Sequence, residues 1–334
     1  MIGKGNFVLL LTLLFLGACT ENLATNRPYI LTTATTGGTY YPVGVALATI
    51  TKAQLFETEG ISLSAISSAG SMENIKLMRD NQAQFALLQG IFAAWAWKGD
   101  GPISRPQPWL RSIGAMWQNT DHFVLLTELT TDGTIMDLDT LDGHRFVLGA
   151  RNSGAQWSGD HILRSLGIDY ESKFSLAYMG YGPTAGAIQD GTIVGMNIPA
   201  GVPVTGITRA FAMAGEELTL LRFSDDHLTQ VNATYPLWSR YVIPANTYPN
   251  QPEAIQTIAH PNVLAVRADI PDESVYKITR AIFDNLAALH EIHKATREVT
   301  LDNALTGLGA PLHPGAARYY REQGIDIPPE LVPP

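Results

Sequence analysis

Cysteine is almost absent from this sequence, since Cys19 is the one residue of that type. A single cysteine excludes a disulfide within the chain, and its position leaves the rest of the protein without thiol chemistry. Charge is also scarce, at 16% of residues, and the formal net charge of −9 is not accompanied by a basic tract. Binding to nucleic acid or to an anionic membrane surface normally uses such a tract. We therefore expect no nucleic-acid partner.

Long hydrophobic runs are absent after the first residues. One strongly apolar run, Phe7–Leu16 (FVLLLTLLFL), follows Lys4. It is shorter than the roughly 20 residues that a transmembrane helix needs, and it has the size of the apolar core of a signal peptide. We therefore expect residues 1–18 to direct export.

The apolar run ends in Leu16-Gly17-Ala18-Cys19, which resembles the lipobox of a bacterial lipoprotein. On this interpretation Cys19 carries the lipid, residues 19–27 form a polar tether, and the protein is held at a membrane in the periplasm or at the cell surface. The alternative is an ordinary cleaved signal peptide with an incidental cysteine.

Strand-like and helix-like segments alternate along the rest of the chain, with glycine at their junctions. Short β-branched or period-two segments begin at Tyr29, Ile61, Phe85 and Arg145. Helices are predicted after three of them, over Pro42–Leu55, after Ser71, and from about Ala155 to Leu166. This alternation predicts an α/β architecture with largely parallel sheets. About 300 residues are enough for two domains.

The segment GGTYYPVG (residues 37–44) lies between the first predicted strand and the first predicted helix. It matches neither the phosphate-binding P-loop nor the dinucleotide-binding GxGxxG pattern. A glycine pair lets the backbone approach a ligand, and the helix start offers N–H donors and a partial positive charge to a carboxylate. We expect one of Tyr40 and Tyr41 to line a cleft and the other to pack.

Metal-binding and catalytic interpretations are weak. An amphipathic helix is predicted to run to about His293, with an apolar stripe of Val275, Ile278, Ile282, Leu286 and Leu289. His290 and His293 share a face of this helix but lack a third ligand nearby, and HEIH is not HExxH. A solvated face is expected instead. Ser153, Asp160 and His161 suggest a hydrolase, yet no Gly-x-Ser-x-Gly elbow is present. Trp95, Trp97, Trp157 and Trp238 are expected in the core or between domains rather than as stacking platforms.

Several segments together resemble the solute receptors of TAXI-type TRAP transporters. The resemblance covers the chain from about residue 30 to 324 and rests, in order, on GGTYYPVG, SAGSMENI, GARNSGA, AGVP, IPANTYPNQ, VYKITRAIFDNL and LHPGAARYYRE. It implies a two-domain type II periplasmic-binding-protein fold with a ligand cleft between the domains. It also implies closure over a small organic anion (a glutamate-like amino acid, a dicarboxylate or a 2-oxo acid), delivery to a TRAP-type permease driven by an ion gradient, no cofactor, no metal and no enzymatic activity.

The resemblance also implies ligand-binding positions in both domains. The first domain would contribute Gly37, Gly38, Thr39, Tyr40, Tyr41, Ser71, Glu73, Asn74 and Gln89, and the second would contribute Arg151, Ser153, Gly154, Ala155, Gln156 and Val202. Ser71 is also expected to be a helix N-cap. Glu73 is either a partner of the helix dipole or an acceptor for a ligand ammonium group.

The second-domain loop departs from the common form of these receptors. Many relatives have Gly-Ser-Gly-Thr after a proline, whereas residues 151–156 read RNSGAQ. The threonine hydroxyl is therefore missing and Arg151 is added. Arg151 either holds a ligand carboxylate through its planar guanidinium or is a solvated or hinge-pairing charge.

Type II binding proteins cross between domains and return, so we expect a discontinuous first domain, residues 28–122 and 262–334, and a second domain of residues 123–261. Closure at the two connections would bury the ligand. One alternative is a binding protein of another uptake or sensing system for an aromatic or sulfonated solute. The other is a secreted hydrolase that uses Ser153 and His161.

Overall fold

A computed structural model describes residues 26–334. The predicted signal peptide and Cys19 lie outside the described residues. Among the residues described, no helix is both long enough and apolar enough to cross a membrane.

The described residues form the following strands: β1 (Arg27–Thr32), β2 (Ile61–Ile66), β3 (Phe85–Gln89), β4 (Leu110–Thr120), β5 (Phe123–Leu126), β6 (Arg145–Gly149), β7 (Ser175–Tyr178), β8 (Gly195–Asn197), β9 (Leu218–Leu220), β10 (Ser239–Ile243) and β11 (Ile255–Arg267). The α-helices are α1 (Tyr40–Glu59), α2 (Ser71–Arg79), α3 (Gly90–Lys98), α4 (Gly154–Ser165), α5 (Tyr170–Lys173), α6 (Tyr181–Gln189), α7 (Thr205–Ala214), α8 (Asp225–Val231), α9 (Asp272–Phe283), α10 (Leu286–His290) and α11 (Pro314–Glu322).

The strands form two sheets, each at the centre of one lobe. The first lobe contains the six-stranded sheet, with order β10-β11-β3-β1-β2 and β4 paired to β11. The second lobe contains the five-stranded sheet, with order β7-β6-β8-β5-β9. This is the two-domain α/β fold, with a cleft between the lobes, that the resemblance to type II periplasmic binding proteins implied.

The prediction of largely parallel sheets is wrong, because both sheets are mixed. β1 is parallel to β2 and β3, but β11 is antiparallel to β3, β4 and β10. In the second sheet β6 is parallel to β7 and β8, whereas β5 is antiparallel to β8 and β9. No helix separates β4 from β5 or β10 from β11, so no crossover helix sets a parallel direction at these connections.

The chain crosses between the lobes at Asp121 and His122, which separate β4 from β5. It returns between β9 and β10. β10 and the first residues of β11 pair within the first sheet, although the predicted domain boundary at residue 262 assigns them to the second domain.

The predicted strand–helix units occur at the expected places, and local sequence explains their ends. α1 begins at Tyr40 and ends at Glu59, and the C-cap residue Gly60 has a φ of 67°, which suits glycine. α4 begins after Ser153, whose side chain accepts a hydrogen bond from the Gln156 amide.

The helix predicted to run to about His293 is interrupted. α9 ends at Phe283, and α10 covers only Leu286–His290. The Asn285 side chain donates to the carbonyl of Ala281 at 2.8 Å, a side-chain bond that competes with helix continuation. Val275, Ile278 and Ile282 nevertheless form the predicted buried stripe.

Apolar packing joins the lobes on one side. One buried cluster includes Phe92 and Trp95 from the first lobe, Phe146 from the second, and Trp238 from the segment that returns to the first lobe. Trp97 and Trp157 pack against it partly buried, which agrees with the core or interface role predicted for the tryptophans.

Candidate functional site

A cavity lies between the lobes, at the carboxyl ends of strands from both sheets. It contains about 450 Å³ of atom-free space, part of which is open to solvent. The first lobe and the first crossing supply Ala34, Thr35, Gly38, Thr39, Tyr40, Ala69, Gly70, Ser71, Gln89 and Asn119, and the second lobe supplies Ala150, Ser153, Gly154, Ala155, Gly180, Tyr181, Pro199 and Ala200.

Five helices begin at the wall of this cavity. Their first residues are Tyr40, Ser71, Gly90, Gly154 and Tyr181, and each of these or its N-cap residue lines the space. The first N–H groups of a helix have no intrahelical acceptor, and the helix dipole places partial positive charge there. Helices from both lobes therefore direct this charge at one point.

Among the residues that the structure describes in this lining, none has a charged side chain. The positive potential of the helix starts is thus not cancelled by a lining carboxylate. A small anion suits such a wall, because it can accept hydrogen bonds from the N–H groups at the helix starts and no lining carboxylate repels it.

The predicted glycine pair lies against the start of α6. A methyl group built on Gly37 would be 2.9 Å from the amide nitrogen of Gly182, and one on Gly38 would be 3.1 Å from the ring of Tyr181. The Tyr181 hydroxyl donates to the carbonyl of Pro199 at 2.8 Å, which holds the ring in place. The glycines therefore allow the lobes to come together, and Gly38 also lines the cavity.

Thr39 connects the lobes directly. Its hydroxyl donates to the carbonyl oxygen of Gly201 at 3.3 Å and accepts from the Gly201 amide at 3.1 Å. Thr39 is 2% exposed, so both bonds are shielded from water.

The two tyrosines have different positions. Tyr40 lines the cavity, packs edge-on against Trp117 and donates its hydroxyl proton to Oδ1 of Asn262. Burial raises the pKa of Tyr40 well above its usual value, so the hydroxyl stays protonated. Tyr41 is half-buried and outside the lining.

Ser71 was predicted to be a helix N-cap, and this is wrong. Gly70 is the N-cap residue of α2, with φ of 120°, and Ser71 is the first helical residue. The Ser71 hydroxyl instead accepts a hydrogen bond from the backbone N–H of Gln89 at 3.0 Å. Ser71 therefore holds the end of β3 in place, and Ser71 itself lines the cavity.

Glu73 and Asn74 lie outside the lining. The Glu73 carboxylate accepts from the amide of Ala69 at 2.6 Å. The Asn74 amide donates to the carbonyls of Thr33 and Leu87 and so connects β3 to the loop after β1. Both side chains hold the loop before α2 in place instead of facing the cavity.

The Gln89 side chain is 4% exposed, lines the cavity, and packs its amide against Gly154 of the opposite lobe. Its buried Oε1 atom has no hydrogen-bond partner.

The second-lobe loop divides into lining and non-lining residues. Ser153, Gly154 and Ala155 line the cavity. Gln156 lies outside it and accepts from the Asn152 amide at 2.7 Å through Oε1. Arg151 is exposed and also outside the lining, with its guanidinium carbon 4.0 Å from the ring centre of Tyr178.

Val202 is buried in the apolar cluster of the second lobe and precedes a cis peptide bond to Pro203. The lining in this region comes instead from Pro199 and Ala200.

The sequence reasoning missed two important lining side chains, Tyr181 and Asn119. Tyr181 lies in MGYGPTAG after β7, and this glycine-rich strand–helix junction resembles the one used to find residues 37–44. Asn119 lies inside the long strand β4, where no local pattern distinguishes it.

A family model described as the NMT1-like family matches residues 31–324. The chain belongs to the NMT1-like family.

Solved structures share the fold of this NMT1-like chain at low sequence identity. MatC from Rhodopseudomonas palustris with bound malate has a TM-score of 0.54 and 12% identity, covering 88% of this chain and 98% of MatC. PhnD1 from Prochlorococcus marinus in complex with methylphosphonate has a TM-score of 0.54 and 12% identity, covering 90% and 99%. The periplasmic binding protein BugD has a TM-score of 0.51 and 14% identity, covering 90% and 94%.

The first crossing between the lobes of this NMT1-like protein contains two buried ionisable side chains. Asp121 accepts from the Trp238 indole at 3.0 Å, and burial raises its pKa to about 8. The Nδ1 atom of His122 lies 2.9 Å from the carbonyls of Thr120 and Ile198, and burial lowers the pKa of His122 to about 4. Both groups therefore favour the neutral form at the crossing.

The proposed hydrolase trio is not assembled. The Ser153 hydroxyl accepts a hydrogen bond from the backbone N–H of Gln156. The Nε2 atom of His161 lies 3.2 Å from the carbonyl of Val231, and the His161 ring stacks on Trp238. Asp160 instead accepts from Tyr170 and Arg164.

The expected solvated histidine face is also corrected. His290 is half-buried, with Nε2 3.1 Å from the Val299 carbonyl, and the His293 Nδ1 atom accepts from the Ala295 amide at 3.1 Å. In residues 26–334 no cluster of three or more metal-ligating side chains was found.

Proposed function

We propose that this protein is the extracytoplasmic solute receptor of a TAXI-type TRAP transporter and binds a small organic anion by closure of its two lobes. The observation that carries the proposal is the convergence of five helix N-termini, from both lobes, on one cavity with an uncharged lining. The backbone N–H groups at each of those termini can donate hydrogen bonds to an anion. Binding between the lobes then couples ligand capture to closure.

The contacts between the lobes support closure as the mechanism. Gly38 packs on Tyr181, and Thr39 is bonded to Gly201. Closing the cavity excludes water and strengthens the hydrogen bonds to the ligand, because the local dielectric constant falls. Two proteins of the same fold carry malate and methylphosphonate, both small anions.

On this proposal, the exported chain is anchored by a lipid on Cys19 and transfers its ligand to an ion-gradient-driven permease. The lobe that contains the six-stranded sheet would move against the lobe that contains the five-stranded sheet, around Asp121 and His122 and around the segment between β9 and β10. The ligand is released unchanged.

A thermal-shift screen of the full chain tests the anion assignment. The panel contains glutamate-like amino acids, dicarboxylates, 2-oxo acids, and aromatic and sulfonated acids. A ligand at a hundred times its Kd adds about 2.7 kcal/mol to the free energy of unfolding if it binds only the folded state. Stabilisation by an aliphatic acid supports the proposal. A response confined to aromatic or sulfonated solutes would favour a receptor of another uptake or sensing system.

Transport in cells tests the permease. Cells that express the chain with its permease should take up the bound acid. This uptake should stop when the ion gradient is collapsed and should persist when ATP is depleted while the gradient is maintained. The opposite pattern would reject a TRAP-type partner.

A further inference from the structure

Gln89 lines the cavity and carries an unpaired hydrogen-bond acceptor. The side chain is 4% exposed, and its Oε1 atom is buried without a partner. A buried acceptor left unpaired is unfavourable, and most such atoms in proteins have a partner. A donor is therefore missing at this point of the wall.

The position of Gln89 is held from three directions. The backbone N–H of Gln89 donates to Ser71 Oγ at 3.0 Å, and the residue pairs with Asn262 in the sheet. The side-chain amide of Gln89 lies against Gly154. Gly154 has no side chain and therefore offers Gln89 no side-chain donor. A methyl group at Gly154 would approach the Gln89 amide to 3.1 Å.

The charge of the missing donor is limited by the absence of a carboxylate from the described lining of the cavity. Glu73 is outside the lining and its carboxylate accepts from the Ala69 amide. Asp121 is also outside the lining, is fully buried, and has a pKa raised to about 8, so it is mostly neutral at pH 7. A ligand ammonium group would therefore be buried beside five positive helix ends without a counter-charge, which is strongly unfavourable.

We infer that Gln89 determines specificity by accepting a hydrogen bond from a neutral hydroxyl group of the ligand, so that the protein selects hydroxy acids over the matching unsubstituted and amino acids. This inference rests on the proposed function, since the acid group is held by the helix starts. A site built around a hydroxyl discriminates strongly against an analogue that lacks it, because the buried acceptor is then left unpaired.

Matched acids test the inference by isothermal titration calorimetry of the full chain. The triplets are malate, succinate and aspartate; 2-hydroxyglutarate, glutarate and glutamate; lactate, propionate and alanine. In any triplet that binds, the hydroxy acid should bind roughly tenfold or more tightly than the other two members. Equal or tighter binding of an unsubstituted or amino acid would overturn the inference and leave the anion receptor intact. Binding of no member of any triplet would overturn the inference, and the small-organic-anion receptor is rejected with it only if the 2-oxo acids and the other acids of the screen also fail to bind.

Two variants assign the effect to Gln89. Gln89→Met keeps the length of the side chain but removes the acceptor, so the preference for the hydroxy acid should fall to about twofold or less. Gln118→Met is the matched control, because Gln118 also has a buried unpartnered Oε1 but lies outside the lining. A preference that survives in Gln89→Met would overturn the role of Gln89. The wild-type triplets decide the ligand class even if that variant does not fold.

Discussion

The hydroxyl of Thr39 both donates to and accepts from the backbone of Gly201, across the cleft between the lobes. The side chain of the N-cap residue of α1 thus uses both backbone groups of a residue 162 positions away. The pair couples a helix start at the cavity wall to the loop that follows β8.

Thr39→Val should weaken ligand binding. The substitution keeps the shape but leaves the Gly201 amide and carbonyl unpaired in the closed form, at a cost of about 1–2 kcal/mol, or roughly tenfold in Kd. Calorimetry with the acid found in the screen measures the change. Thr49→Val is the control, because Thr49 lies on the exposed side of the same helix and bonds only the carbonyl of Val45. Unchanged affinity in Thr39→Val would show that this pair does not contribute to closure.

Gly37→Ala should impair closure more than it lowers stability. Its methyl group would approach the backbone nitrogen of Gly182 to 2.9 Å, and backbone atoms cannot move aside as a flexible side chain does. We expect a loss of ligand affinity of about tenfold or more, with a smaller ligand-induced decrease in the radius of gyration by X-ray scattering.

Gly186→Ala provides the control for that experiment. Gly186 is inside α6 and a methyl group there would meet nothing within 4 Å. Alanine should raise the free energy of unfolding by about 0.5–1 kcal/mol and leave affinity unchanged. Similar affinities for the two alanine variants would contradict the close approach of the lobes at Gly37.

Asp121 should make the protein less stable as the pH rises. Its folded-state pKa of about 8 lies above its unfolded value, so the folded state keeps the proton after the unfolded state has lost it. The free energy of unfolding contributed by this group is therefore complete below about pH 4 and decreases between about pH 4 and pH 8.

Asp121→Asn should remove this decrease, since an amide oxygen can still accept from Trp238. His122 and His260 have lowered pKa values and act in the opposite direction below about pH 6.5. The difference between wild type and variant in urea unfolding at a series of pH values isolates Asp121. A difference that does not change with pH would mean that Asp121 is ionised in the folded protein.

Arg151→Ala should change ligand affinity by less than about threefold. The guanidinium is exposed, outside the lining, and placed on Tyr178, a contact that contributes about 0.5–1 kcal/mol to stability at an exposed site. Arg145→Ala, at the exposed start of β6, is the comparison. A tenfold weakening confined to Arg151→Ala would show that Arg151 contacts the ligand in solution.

Local sequence patterns predicted the strand–helix units well. Glycine and small polar residues at 37–39, 70–71 and 153–154 marked three of the five helix starts at the cavity. These features depend on neighbouring residues, because backbone freedom and N-terminal capping act within one turn.

The directions of individual side chains could not be predicted in the same way. Glu73 and Arg151 are suitable for binding charged ligands, but Glu73 bonds the backbone before its own helix and Arg151 stacks on Tyr178. Serine is a residue type favoured at N-caps, yet the Ser71 hydroxyl accepts a hydrogen bond from the backbone N–H of Gln89 at the end of β3. Each choice depends on a competing partner that is present only after folding.

The sequence by itself determined the α/β units, the buried stripe of α9 and the glycine-rich helix starts, because these follow from periodicity and from backbone preferences over a few residues. The tertiary structure alone decided the mixed sheets, the placement of Asn119 and Tyr181 in the cavity, and the unpaired acceptor of Gln89. Those features depend on pairing and burial between residues far apart in the chain, which place groups from both lobes at one point.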